Sequence, residues 1–357
     1  MPVRSPGGPR STPTIRHVAE AANVSRATVS RAFGQPHLLS RETVELVQAV
    51  AARLGYVPNH TARALSTGRA GNIALVVPDI TNPFFAALMR GAQAKARDAG
   101  FATFLGDSDE TPELEDMLLA KLSAQVEGFI LASSRLSRER ILHHAQRRPF
   151  VLINRDVPKL PRLLIDTGPS YARAVEHLAG LGHRAIAYLA GPTLSWSNRQ
   201  RHKASLEAAR RLGLALTRIP TSRPSFEAGR AATDALLASG ATAALAFDDV
   251  MAQGVMAGLA ARGLSVPGDI SLIGCDGVLA TTTYPPLTSV TAHCTRAGEE
   301  AVDLLLDVLD GKAPRDRTLN LPTELVIRAT TAAPASAASL GLPGIEPGSA
   351  AALPEPF

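Results

Sequence analysis

The chain has 357 residues, 45% hydrophobic and 19% charged, which leaves room for two or three globular domains. No apolar run is long enough to span a bilayer, and the opening MPVRSPGGPRSTP lacks the apolar core of a signal peptide. Both argue against membrane insertion and export, so a cytoplasmic protein with no membrane partner is expected. The net charge of +5 is unevenly placed: residues 1–70 carry nine arginines against three glutamates, and the rest carries 28 basic and 29 acidic side chains. A basic excess confined to the first fifth of the chain points to a polyanionic partner for that segment.

Residues 1–12 are expected to be a disordered tail. The next stretch, TIRHVAEAANVSRATVSRAF (14–33), patterns as two short helices. Ile15, Val18, Ala19 and Ala22 recur at helical spacing. Thr14 suits an N-cap, Asn23-Val24 a turn, and Ser25 a second cap. The second helix buries Val29 and Phe33 and leaves Arg26, Ala27, Thr28, Ser30 and Arg31 outside. Small polar and basic side chains on an exposed helix can approach phosphates and base edges. The layout fits a DNA-reading helix-turn-helix; an ordinary helical hairpin fits the pattern too. A third helix is expected from Ser40 to about Leu54, with Val44, Val47, Ala51 and Leu54 inward and Gly55 as its stop. These elements make an all-α headpiece over 13–58.

Residues 59–71, including NHTARALSTGR, are helix-permissive but too short to hold a helix alone. They read as a linker that folds on meeting a partner, or as a plain tether. From Asn72 the rhythm changes. Nine short apolar runs, from NIALVVP to LTSVTA, alternate with amphipathic segments such as 84–99, 114–123, 171–181, 201–212, 227–238 and 250–261. Such alternation means parallel sheets covered on both faces. The fold class is therefore α/β: a helical headpiece followed by a two-lobed, doubly wound core over 72–332. Its N-lobe is expected at about 72–157 plus 293–320 and its C-lobe at about 158–292 plus 321–332. Residues 333–357 read as a disordered tail. Ligands bind such sheets at the carboxyl ends of the strands. That places Asp79 to Phe85, Ser133-Ser134, Asn154 to Asp156, Gly191 to Arg201, Asp248-Asp249 and Asp276 in view. Cys275 and Cys294, the only cysteines, have no metal-ligand spacing and read as buried, reduced thiols.

The chain resembles the LacI/GalR family of transcriptional repressors over residues 13–330. TIRHVAEAANVSRATVSRAF resembles the family headpiece and GYVPNHTARALSTG (55–68) its stop and hinge. NPFFAALMRGAQ (82–93), LGHRAIAYLAGP (181–192), FDDVMAQGVMAGL (247–259) and VPGDISLIGCDG (266–277) resemble its core, which is similar to periplasmic sugar-binding proteins. The resemblance implies a homodimer that binds palindromic double-stranded operator DNA and is switched by a small molecule, with neither a cofactor nor a metal. It assigns DNA contact to Thr14, Ser25, Arg26, Ala27, Thr28, Ser30 and Arg31, and hinge contact to Asn59, Ala62 and Leu65. Leu65 matches a minor-groove wedge. For the effector it implies Phe84, Phe85, Ser195, Ser197, Arg201, Asp248 and Asp276. Trp196 lies beside that motif and either stacks on a sugar face or packs internally. Two departures stand out. Asp248 replaces a customary amide, and Ala204-Ser205 replaces a glycine and an aromatic. The implied effector is a sugar, polyol or sugar acid.

Two other classes compete. An exported sugar-binding protein would need a leader and has no use for residues 13–69. For a doubly wound enzyme, Asp248-Asp249 would hint at a metal and His143-His144 at acid/base chemistry, but no phosphate-cradling GxGxxG or GxxxxGK[ST] loop follows a strand and no GxSxG elbow occurs. His143-His144 reads as a solvated face.

Overall fold

The computed structural model describes residues 13–34, 36–56, 71–221, 223–314 and 316–335. They divide at Gly71/Asn72 into two compact units. Among the described residues no helix is long and apolar enough to cross a membrane.

The first unit holds α1 (Ile15–Ala21), α2 (Arg26–Gly34), a 3-10 turn (Pro36–Leu38) and α3 (Arg41–Leu54). Local chemistry sets each boundary. Thr14 is extended and donates its N–H to His17 Nδ1 at 3.2 Å. Ser25 Oγ accepts from Thr28 N at 3.0 Å, and Ser40 Oγ from Thr43 N at 3.3 Å. Gly55 ends α3 at φ +66°, and Tyr56 N then reaches back to Ala51 O at 2.9 Å. Val18, Ala19, Ala22, Val29, Ala32, Val47, Val50 and Ala51 form the core. Phe33 is only half-buried and tilts against Tyr56, with ring centroids 6.1 Å apart. Phe33 still packs against this core, whereas Val44 does not; Ala32 and Val50 join the core where the sequence pattern did not place them.

The second unit contains two six-stranded sheets. In chain order its elements are β1 (Asn72–Val77), α4 (Pro83–Asp98), β2 (Ala102–Asp107), α5 (Pro112–Leu122), β3 (Gly128–Ala132), α6 (Arg138–Ala145), β4 (Phe150–Ile153) and β5 (Arg162–Asp166). Then come α7 (Gly168–Gly180), β6 (Ala185–Leu189), α8 (Trp196–Arg211), β7 (Ala215–Ile219), α9 (Phe226–Ala231), α10 (Thr233–Ala238), β8 (Ala243–Ala246), α11 (Asp249–Ala260) and β9 (Ser271–Asp276). The unit closes with β10 (Thr288–Thr291), α12 (Cys294–Leu309), β11 (Thr318–Pro322) and β12 (Glu324–Val326). One sheet runs β11-β5-β4-β3-β1-β2 and the other β12-β10-β9-β8-β6-β7. All pairs are parallel except β10 with β12.

The inner strands of each sheet are buried on both faces, which explains their nearly continuous apolar runs. In β1, Ile73, Leu75 and Val77 face one core while Ala74 and Val76 face the other. In β6, Ala187 and Leu189 are separated in the same way from Ile186 and Tyr188. Gly91 and Gly298 let α4 and α12 touch: a Cβ on Gly298 would lie 2.0 Å from Leu88 O. Both cysteines are buried free thiols.

The lobes exchange chain later than expected. β5 pairs with β4 and β11, so the N-lobe keeps the chain to Asp166 rather than ending near 157. On its return the N-lobe extends to Pro322, two residues beyond the expected limit. The apolar run RLLID announces a strand, but only pairing decides which sheet takes it. Strands β7, β11 and β12 were not anticipated. They are edge strands with several exposed positions, so no continuous apolar run marks them. The helix expected over 227–238 divides at Ala232. Residues 333–335, assigned to the tail, are described; Pro334 Cδ comes within 3.6 Å of the Cβ position of Gly182. The remainder of that tail and residues 1–12 lie outside the described residues.

Candidate nucleic-acid interface and ligand cleft

The outward face of α2 is built by spacing. Arg26 and Ser30, Ala27 and Arg31, and Ala27 and Ser30 are three or four residues apart, so they share one helix surface. All four are exposed, while Val29 and Ala32 anchor the opposite side. Ser25 and Thr28 hold the helix start, their hydroxyls 2.9 Å apart, and Thr28 is half-buried. Thr14 is exposed at the start of α1. Neighbouring arginines are neutralised within their own helices: Arg16 Nε lies 2.8 Å from Glu20 and Arg41 Nε 2.7 Å from Glu45. Among the described residues neither Arg26 nor Arg31 has an ion-pair partner. Their charge is thus left for something outside the unit. Asn59, Ala62 and Leu65 lie outside the described residues.

The second unit holds a cleft between its two lobes. It is lined from the carboxyl ends of strands in both sheets. Phe84, Phe85, Ser195, Ser197, Arg201, Asp248 and Asp276 all face it. Phe84 and Phe85 meet edge to face at 4.9 Å. Ser195 caps α8, accepting from Asn198 N at 3.2 Å. Ser197 and Arg201 follow on one face of that helix, four residues apart. Trp196 is a correction: it does not line the cleft. It lies half-buried at the first position of α8, about 100° around the helix from Ser197, so its ring points along a different face.

Arg201 organises the C-lobe wall. It is 3% exposed and donates to Thr167 Oγ1 at 3.2 Å, to Phe247 O, and to Asp276 Oδ1 at 3.3 Å. Its guanidinium lies 4.7 Å from the Phe247 ring centroid. Gly191 makes room for that ring; a Cβ there would approach it to 2.5 Å. Ser205, one of the departures from the family pattern, is buried and donates to Arg201 O at 2.8 Å.

Asp248 caps α11 through Met251 N at 2.8 Å and accepts from Asn82 Nδ2 at 2.9 Å, joining the lobes across the cleft. Arg223 also crosses, donating to Asp109 Oδ1 at 2.8 Å. Burial, reinforced by the charge of Asp276, raises the Asp248 carboxyl to about 7. Burial also raises Asp276, with Arg201 opposing the rise. Asp249 points away from the cleft, into Ser289 and Leu279.

The cleft also uses residues that pattern reading passes over. Asn82, Ser133 and Asn154 stand out in the sequence only as strand-end positions; Glu110, Arg135 and Pro224 do not stand out at all. Glu110 sits in the polar run DSDETPE, which looks like a solvated loop. Backbone geometry is the stronger signal. Glu110, Ser133, Asn154 and Asp276 all line the cleft at positive φ, half of the eight such non-glycine residues among those described. Each costs about 1–3 kcal/mol, so their convergence marks a site. Of His143-His144, His143 is exposed as expected, whereas His144 is corrected: it is buried, its Nε2 2.8 Å from Asp116 Oδ1.

Comparison with known proteins finds relatives for both units. Residues 14–59 match the family described as bacterial regulatory proteins, lacI family, and residues 175–331 match the periplasmic binding protein-like domain. The chain is 33% identical over 332 residues to the HTH-type transcriptional repressor CytR of Escherichia coli K12, covering 90% of this chain and 96% of that one. A lac repressor dimer bound to operator and the anti-inducer ONPF superposes with a TM-score of 0.81 at 28% identity, covering 90% of this chain and all of the other. A LacI family regulator from Enterococcus faecium with bound ribose gives 0.67 at 30% identity, covering 73% of this chain and 99% of that one. An uncommitted basic helix face and a strand-end ligand cleft occur together in one chain, and the relatives that share its length are regulators rather than enzymes. The chain belongs to the LacI family of bacterial transcriptional regulators.

Proposed function

We propose that the protein represses transcription as a dimer on a palindromic operator and is switched by a sugar-like molecule held in the core cleft. The observation that carries this reading is the α2 face, where Arg26 and Arg31 stand exposed, without ion-pair partners among the described residues, on a helix whose opposite side is buried through Val29 and Ala32. Arg26 suits a bidentate contact to guanine, and Ala27 an apolar contact to a thymine methyl. Arg31, with Thr14, Ser25, Thr28 and Ser30, suits phosphates and neighbouring base edges. Two copies read the two halves of the operator, as in the lac repressor dimer bound to operator. Asn59, Ala62 and Leu65 supply the minor-groove contact between them.

Arg201 and Asp276 offer paired donors and acceptors to hydroxyl groups, and Phe84, Phe85 and Phe247 offer apolar faces. The ribose bound by the E. faecium regulator is a molecule of this chemistry. Switching resides in a difference of effector affinity between the DNA-competent and DNA-released states. The site of action is the chromosome, in the cytoplasm. Fluorescence anisotropy on operators selected from a random palindromic pool tests this reading. Specific binding should weaken steeply with salt and change when the effector is added. Binding that does not discriminate among DNA sequences would refute it.

A further inference from the structure

Resting on the effector reading above, we infer that the ligand is uncharged and polyhydroxylated, gripped between two arginine–carboxylate pairs, and that Glu110 and Arg135 form the N-lobe grip. The C-lobe pair is Arg201–Asp276. Its counterpart across the cleft is tighter. Arg135 Nε donates to Glu110 Oε2 at 2.6 Å and Nη2 to Oε1 at 2.9 Å, a bidentate contact. Arg135 Nη1 donates to Ser133 O at 2.6 Å, which aims the fork. The side chains are 3% and 12% exposed, so the pair is part of the cleft wall and not a solvated surface bridge. Glu110 is held there at φ +60°, next to Asp109 at φ +46°. Two successive left-handed, non-glycine residues carry a conformational cost, and here they turn the carboxylate inward.

Charge pairing then selects the ligand class. Three carboxyl groups line the cleft (Glu110, Asp248 and Asp276) against two guanidinium groups (Arg135 and Arg201). Both guanidiniums are already engaged with carboxylates. A carboxylated or phosphorylated ligand would lose its hydration and meet no uncommitted cation among these lining residues. A hydroxyl group, in contrast, donates to a carboxylate and accepts from the adjacent guanidinium, which has five N–H groups to share. Vicinal hydroxyls at either end of a small ring or chain match two such pairs. Of the sugar, polyol and sugar-acid classes, the cleft therefore rejects the acid.

Isothermal titration of the full chain tests this with pentoses, hexoses and alditols beside their aldonic acids and sugar phosphates. Uncharged compounds should bind, and each anionic analogue should be at least about tenfold weaker than its parent. A tighter anionic analogue, or a panel without an uncharged binder, would overturn the class. Operator binding is measured separately, so either failure leaves the regulator reading to its own test. For the best uncharged binder, Glu110→Gln should lower affinity about tenfold and narrow the gap to the anionic analogue. Glu110→Ala, checked for an unchanged melting temperature, should do the same. An equal loss for parent and anion would show that Glu110 only supports the fold.

Discussion

Replacing Asp249 by asparagine probes the buried acids of the core directly. Asp249 is 2% exposed; Ser289 Oγ donates to Oδ1 at 2.6 Å and Leu279 N to Oδ2 at 3.3 Å. Burial, reinforced by the charge of Asp276, raises its pKa to about 7. In the unfolded chain an aspartate titrates near about 3.9. The folded core thus holds a proton that the unfolded chain has released. That contribution is complete below the unfolded value and is lost as pH rises through about 7. A shift of this size removes about 2–3 kcal/mol of stability between about pH 5 and pH 8. The amide of the Asp249→Asn variant cannot titrate and should spare that loss. Asp248 and Asp276 are raised in the same direction, and burial lowers His177, His183 and His202, which act in the opposite one; all five groups are present in both proteins, so the difference between wild type and variant reports Asp249 with its coupling to Asp276 and Asp248. Urea unfolding followed by fluorescence is the assay. Trp196 is the only tryptophan and lies in the second unit, so the signal reports the core alone. The variant's stability difference between the two pH values should be smaller by the stated amount. Parallel profiles for the two proteins would refute the reasoning.

Other perturbations separate the two sites. Gly298→Ala drives a Cβ toward Leu88 O and should cost the core at least about 2 kcal/mol, read as a lower urea midpoint. Asp276→Asn should abolish the effector response in the operator assay and leave effector-free DNA binding intact. Arg26→Ala should cost about 1–3 kcal/mol of discrimination at one base position, measured on operators varied base by base; an equal loss on every sequence would make Arg26 a phosphate contact. Leu65→Ala should sharply reduce specific operator affinity with effector binding unchanged.

The headpiece was legible because its determinants are local. Caps at Thr14, Ser25 and Ser40 act within three residues, and the stop at Gly55 within five. The apolar runs of β1, β3, β4 and β9 were legible for a related reason: strands buried on both faces must be apolar throughout. Arg201 and Asp276 were reached through the family resemblance and the rule that parallel sheets bind ligands at strand ends. That rule also placed Asn82, Ser133 and Asn154 in view without saying what each would do.

Sequence by itself determined the three short helices, the strand-helix alternation, the basic first fifth of the chain and most residues of the cleft. Tertiary structure decided the rest, because it depends on groups brought together from distant parts of the chain. β5 joined the first lobe through pairing with β11, more than 150 positions away in sequence. Trp196 left the cleft because a single residue step turns a helix by about 100°. Glu110 and Arg135, separated by 25 residues, became one wall only when β2 and β3 flanked β1 in the same sheet. A polar loop in sequence thereby became a buried, charged surface, and that surface selects for an uncharged ligand.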